Sequence, residues 1–266
     1  MTTRHPYLDG GYPRAYAHRG WHLGDLAGCE NTLAAFRRAV EEGFGYLELD
    51  VHASADGVAF VHHDALLERT TDGRGPIAER SAAELGSVLV RGREPLPRLE
   101  QVLTELPDTR ITVELKSGTA VVPVLDLLER TASWHRICLG SYHDGWLDRA
   151  RRLAGPLLCT SLGQASAFGL RSRAWLDSLP WPAPRLPGPP VMGNLAQLPR
   201  RYGRLTVVDP ALLRAAHASG REVHVWTVDD PVEMTELLDL GVDGILSDRP
   251  DLLREVLDGR GAWTPS

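Results

Sequence analysis

Residues 46–64 read Tyr-Leu-Glu-Leu-Asp-Val-His-Ala-Ser-Ala-Asp-Gly-Val-Ala-Phe-Val-His-His-Asp, and the relation between the two apolar runs in this stretch decides the fold. Tyr46–Val51 and Val58–His62 both have strand composition and are bounded by turn residues. A parallel pair would need a crossover of about a dozen residues or more. Too few residues separate the two runs for that, so the second folds back as a hairpin, and Asp56-Gly57 is the turn signal.

Outward from this hairpin, Ala15–His18, Arg110–Lys116, Arg136–Ser141, Pro156–Ser161, Leu205–Val208, Glu222–Val228 and Asp243–Ser247 read as further strands that alternate with helical patterns. Helix starts are legible at Asn31-Thr32, Asp209-Pro210 and Asp230-Pro231, and stops at Gly43, Gly220 and Gly241. With Tyr46–Val51 these strands make eight βα units in 266 residues. That matches the roughly 250 residues typical of a (β/α)8 TIM barrel. The expected fold is therefore α/β, a (β/α)8 TIM barrel with a small hairpin insertion after the second strand. No GxGxxG follows an early strand, which weighs against an open dinucleotide-binding sheet. The barrel domain is expected over 15–256, with tails at 1–14 and 257–266. Trp175–Arg204 breaks the rhythm: Pro180, Pro182, Pro184, Pro187, Pro189, Pro190 and Pro199 forbid a regular helix across most of it. It reads as a long loop between the strands Pro156–Ser161 and Leu205–Val208, either overhanging the barrel mouth or leaving as a surface excursion.

Composition narrows the class of partner. A net charge of −6, from 29 basic and 35 acidic residues, gives no field favouring nucleic acid or an anionic membrane. At 43% hydrophobic and 24% charged residues the chain is globular rather than disordered. Cys29, Cys138 and Cys159 are odd in number and form no CxxC, so neither a disulfide framework nor a zinc site is indicated. The first residues lack the apolar run of a signal peptide, and Leu153–Leu170, though uncharged, is broken by Gly155, Pro156 and polar residues. A cytoplasmic protein without a stable membrane anchor, acting on a small molecule, is the expectation.

Side chains two apart on a strand share a face, so Glu48 points with Asp50 and Glu114 with Lys116. Two carboxylates about 4 Å apart repel by about 4 kcal/mol at an effective dielectric of 20, so a positive charge must lie between them. Three carboxylates at strand ends suit a hard divalent cation, Mg²⁺, Ca²⁺ or Mn²⁺. Pairing of Glu48 or Glu114 with an arginine across the barrel is the alternative. His18-Arg19 follows the first strand and His63-Asp64 the hairpin strand, which brings both histidines to the C-terminal mouth where barrel chemistry occurs. His62 competes with His63, since strand alternation lets one of them point inward. Lys116 is the one lysine in an arginine-rich chain.

The motifs His18-Arg19-Gly20, Glu30-Asn31-Thr32, Glu48–Val51, Val61–Asp64, Glu68–Gly75, Glu114–Lys116, Val225–Val228 and Gly241–Pro250 occur in order. In that order and spacing, from about Tyr16 to Leu253, the chain resembles the glycerophosphodiester phosphodiesterase family. The resemblance implies that Glu48, Asp50 and Glu114 ligate a divalent cation and that His18 and His63 are the catalytic acid/base pair. It also implies phosphate-binding roles for Arg19 and Lys116, and an aromatic pocket wall at Trp226. The implied reaction is metal-dependent hydrolysis of glycerophosphodiesters to glycerol 3-phosphate and an alcohol. Either water or a neighbouring hydroxyl of the substrate serves as nucleophile. Two other functions fit the same barrel: lysophospholipase D-like activity on lysolipids, and a catalytically silent barrel that binds a phosphate ligand. Carbonyl chemistry by a metal-dependent aldolase or isomerase is compatible with the fold as well.

Overall fold

The computed structural model describes residues 4–177 and 191–265. Eight parallel strands run β1 (Arg14–His18), β2 (Tyr46–Ala53), β3 (Arg110–Leu115), β4 (Ile137–Gly140), β5 (Cys159–Thr160), β6 (Leu195–Pro199), β7 (Glu222–Trp226) and β8 (Gly244–Ser247). Their spatial order is β5-β4-β3-β2-β1-β8-β7-β6, and β5 meets β6 through a Ser161↔Leu195 bridge and the Asn194 N–H to Thr160 O bond of 2.7 Å. Helices lie between the strands, giving the expected (β/α)8 barrel. The strand Ala59–Val61 folds back antiparallel on the end of β2, with Gly57 at a φ of 81° in the turn.

Alternation divides each strand between two interiors. Odd-numbered residues such as Leu47, Leu49, Val113, Leu139, Val225 and Ile245 pack outward against the helices in the main core. Residues of the opposite face point into the barrel, where Tyr16, Tyr46, Cys138, Cys159 and Leu246 form a second cluster. Below them, Pro6–Asp9 forms a 3-10 turn that inserts fully buried Tyr7 into the barrel floor.

One expected strand is corrected. Leu205–Val208 is not a barrel strand: Leu205–Thr206 pairs antiparallel with Arg201–Tyr202 in a small exposed hairpin. The barrel position belongs to β6, inside the stretch read as an irregular loop. Pro199 is tolerated there because it ends the strand, and the neighbouring β5 stops at Thr160, so the missing N–H interrupts no ladder. The expected strand Pro156–Ser161 is shorter as well, since Gly155–Leu157 forms a 3-10 turn ahead of β5. Pro180, Pro182, Pro184, Pro187, Pro189 and Pro190 lie outside the described residues.

At the barrel floor, Glu222 is held by Arg14 Nη2 at 2.9 Å and by His224 Nε2 at 3.0 Å. Burial pushes its carboxyl up, but His224 and Arg14 outweigh burial and hold it down at about 2, against an ordinary 4.5. A depressed carboxyl stabilises the fold above its unfolded pKa and loses that contribution as pH falls toward the folded value, here from about 4.5 to 2. The loss is on the order of 3 kcal/mol. Denaturant titrations at pH 5 and pH 3 should show a steeper loss for the wild type than for Glu222→Gln, and equal slopes would refute the assignment.

Candidate active site

The C-terminal ends of β1, β2 and β3 carry the site. Arg19 (φ 57°) and Gly20 (φ 85°) make the turn after β1, and a Cβ at Gly20 would lie 2.9 Å from the backbone of Ala35. Glycine is needed there for both its handedness and its closeness to the following helix. Asn31, also left-handed at φ 59°, donates from Nδ2 to Asp50 Oδ2 at 2.8 Å.

Glu48, Asp50 and Glu114 converge so that one oxygen from each lies within 4.8 Å of the others. Glu48 and Asp50 are buried. Burial and then Asp50 push Glu48 up to about 8. Burial also opposes ionisation of Asp50, but Lys116 and Arg19 overcome it and hold that carboxyl below its usual range. Lys116 Nζ lies 3.0 Å from Asp50 Oδ1 and 3.1 Å from Glu114 Oε2, and Arg19 Nε lies 3.2 Å from Asp50 Oδ2. Even so, the buried oxygens Glu48 Oε2 and Asp50 Oδ1 have no hydrogen bond of acceptable angle. Orphaned carboxylate oxygens in an all-oxygen donor set fit a hard divalent cation.

Both histidines stand at this cluster, each tied through Nδ1 to a carboxylate. His18 Nδ1 is 2.7 Å from Asp248 Oδ1, and its Nε2 is 3.5 Å from Glu48 Oε2. Burial disfavours the imidazolium, but Glu48 and Asp248 lift His18 to about 9. His63 Nδ1 is 2.5 Å from Asp64 Oδ1. Asp64 in turn takes Arg69 Nε at 2.5 Å, and Arg69 bridges to Glu30, which holds Arg19 at 2.9 Å. A carboxylate on Nδ1 fixes the tautomer and leaves Nε2 for proton transfer. His62 turns away, its Nε2 on Leu66 O at 3.1 Å, so His63 is the inward member of the pair.

His18, Arg19, Glu48, His63, Glu114, Lys116 and Trp226 line one cavity of about 370 Å³. Asp50 lies behind its wall, reached through Lys116, Arg19 and Asn31. Trp226 meets Tyr142 edge to face at 5.8 Å on the same cavity wall. The outer rim is apolar, with Phe168 63% and Tyr202 71% exposed beside Leu205 and Val207. The described part of the proline-rich segment thus reaches the mouth through its small hairpin. Sequence reasoning assigned no part in the site to Asp248, Asp64, Glu30, Arg69 or Asn31, although each stands in a motif quoted above.

The family model for the glycerophosphoryl diester phosphodiesterase family matches residues 11–252. The Mycobacterium tuberculosis protein named probable glycerophosphodiester phosphodiesterase 2 is 37% identical over 251 residues, covering 94% of this chain and 92% of that one. The mouse lysophospholipase D GDPD1 is 26% identical over 278 residues, covering 94% and 87%. Among solved structures, a glycerophosphodiester phosphodiesterase from Parabacteroides distasonis superposes with a TM-score of 0.74 at 25% identity, covering 95% of this chain and all of its own. An Oleispira antarctica phosphodiesterase, solved with the product sn-glycerol-3-phosphate, shares the fold at a TM-score of 0.74 and 22% identity, covering 93% and 97%. The chain, with its acidic trio and paired imidazoles at the mouth of the same barrel, belongs to the glycerophosphoryl diester phosphodiesterase family, and is a phosphoric diester hydrolase.

Proposed function

We propose that the protein hydrolyses glycerophosphodiesters to sn-glycerol 3-phosphate and an alcohol, with His18 and His63 as the acid/base pair. The observation that carries this reading is the meeting, around one cavity, of three carboxylates, two cations and two carboxylate-tethered histidines. Glu48, Asp50 and Glu114 would hold the divalent cation, Mg²⁺, Ca²⁺ or Mn²⁺. When bound, that ion supplies positive charge to the phosphoryl oxygens. Arg19 and Lys116 orient the phosphate and offset its developing charge. One imidazole takes the proton of the nucleophile, water or a neighbouring substrate hydroxyl, through Nε2. The other returns a proton to the departing alkoxide; where a substrate hydroxyl attacked, water then opens the resulting cyclic phosphate with the two imidazoles in reversed roles, which restores their protons.

A second reading, lysophospholipase D activity, draws on the apolar rim at Phe168, Tyr202 and Leu205, where an acyl chain could lie. Comparison of kcat/KM for glycerophosphocholine and 1-acyl-lysophosphatidylcholine tests the two. Glycerophosphocholine is expected to be at least about tenfold better, the discrimination expected of a pocket with matched hydrogen bonds. A lysolipid turned over equally well or faster would transfer the assignment, and binding of both without turnover would indicate a silent barrel. Among the described residues no helix is long and apolar enough to cross a membrane. The three buried free thiols, Cys29, Cys138 and Cys159, support a cytoplasmic location.

A further inference from the structure

On the cavity wall beside the charged groups, Gly140 leaves a notch. A Cβ there would lie 3.5 Å from Ser161 Oγ, 3.7 Å from Gln197 Oε1 and 3.7 Å from Thr112 Cγ2, so its absence opens space rimmed by two polar side chains. Gly140 is the register partner of Glu114 across β3 and β4. One strand spacing, about 4.8 Å, therefore separates the notch from the acidic trio. That is within reach of a three-carbon polyol whose phosphate sits at the trio.

The orientation of Gln197 is set from the far end of the barrel. Its Nε2 is 2.9 Å from Thr112 Oγ1, which is 2.7 Å from Tyr7 OH; Tyr7 OH is 3.0 Å from Tyr16 OH, and Tyr16 OH is 3.0 Å from His224 Nδ1. His224 Nε2 ends the chain on Glu222 Oε2 at 3.0 Å. In the tautomer that donates from Nε2 to Glu222, Nδ1 accepts from Tyr16. Tyr16 then accepts from Tyr7, and Tyr7 from Thr112. Burial keeps both phenols protonated. With its own proton spent on Tyr7, Thr112 Oγ1 can only accept from the Gln197 amide nitrogen. The amide oxygen is thereby turned to the cavity as an acceptor.

We infer that Gln197 is a specificity-determining residue whose Oε1 accepts a hydrogen bond from the terminal hydroxyl of the substrate's glycerol, seated in the notch over Gly140. The inference rests on the glycerophosphodiester reading above and deepens it. The site recognises a free terminal hydroxyl, and an acyl ester at that oxygen has no hydrogen to offer, which disfavours 1-acyl lysolipids.

The test compares three substrates: glycerophosphocholine, its terminal-deoxy analogue, which keeps the hydroxyl next to the phosphoester carbon, and bis(4-nitrophenyl) phosphate, which has no glycerol. Wild-type enzyme is expected to prefer glycerophosphocholine over the deoxy analogue by about tenfold or more in kcat/KM. Gln197→Leu should bring the two within about twofold, the preference being lost with the acceptor. Tyr7→Phe, remote from the cavity, should reduce the preference partway by freeing the Thr112 proton and letting the amide turn. Far-ultraviolet circular dichroism reports intact folding in each preparation, and turnover of the nitrophenyl ester, which has water as its sole nucleophile, reports intact phosphate chemistry. No wild-type preference, or a preference that survives Gln197→Leu, overturns the inference. If Gln197→Leu loses all three activities, Tyr7→Phe decides alone, and an undiminished preference overturns it. Wild-type enzyme that cleaves the nitrophenyl ester but neither glycerol substrate removes the parent reading, and this inference with it.

Discussion

His63→Ala is expected to lower kcat on the order of 10²–10⁴-fold, with His18→Ala in the same range, as loss of positioned acid/base assistance typically does. Each imidazole is held by its own carboxylate, Asp248 for His18 and Asp64 for His63, so each is oriented before substrate arrives. The reaction needs a proton removed from the nucleophile and one delivered to the leaving oxygen. The two histidines are therefore not redundant. The double variant should fall little below the slower single one, because residues that act as a unit are not additive. Single-turnover rates on glycerophosphocholine, with far-ultraviolet circular dichroism as a check on folding, measure this. Wild-type rates in both single variants would end the acid/base assignment. The carboxylates can be separated from the imidazoles by Asp248→Asn, which should lower kcat with KM little changed.

Removal of divalent cation should abolish turnover by at least about 10²-fold, the several kcal/mol of charge stabilisation a Lewis acid supplies, and readdition should restore it. Glu48 gives this prediction a pH signature. Burial and Asp50 lift its carboxyl to about 8, so below that pH a cation must displace a proton to bind. Apparent cation affinity should therefore weaken as pH falls from 8 to 6. Calorimetric titration in buffers of different ionisation enthalpy should show proton release on binding. Full activity in protein dialysed against EDTA and verified free of metal would defeat the cation's role. Cation affinity independent of pH would defeat the part assigned to Glu48. Glu48→Gln should mimic depletion, since a neutral amide leaves the trio one charge short.

The fold was readable because hairpin and crossover geometry are local. The Asp56-Gly57 turn left one run no option but to fold back on β2, and the count of the remaining strands did the rest. Glu48, Asp50, Glu114 and Lys116 were readable for a related reason, since strand alternation carries a side chain's direction with certainty over two residues. Alternation failed where strands end: the hairpin strand stops at Val61, and the contact of His62 with Leu66 O, not periodicity, turns it away from the cavity. It failed too at β6, where Leu195–Pro199 follows a proline-rich run and ends in proline itself, and pairing with β7 makes it a strand.

Residue order alone thus specified the barrel, the acidic trio and the candidate imidazoles, because these follow from chain periodicity and from charges that cannot be buried singly. It could not specify partners brought together from distant parts of the chain. Asp248 lies 230 positions from His18, and Thr112 lies 85 positions from Gln197, yet each pair is in hydrogen-bond contact. Closing the sheet into a ring sets those contacts, since the first and last strands become neighbours only when the barrel forms, and a buried polar group then takes whichever partner the ring brings to it.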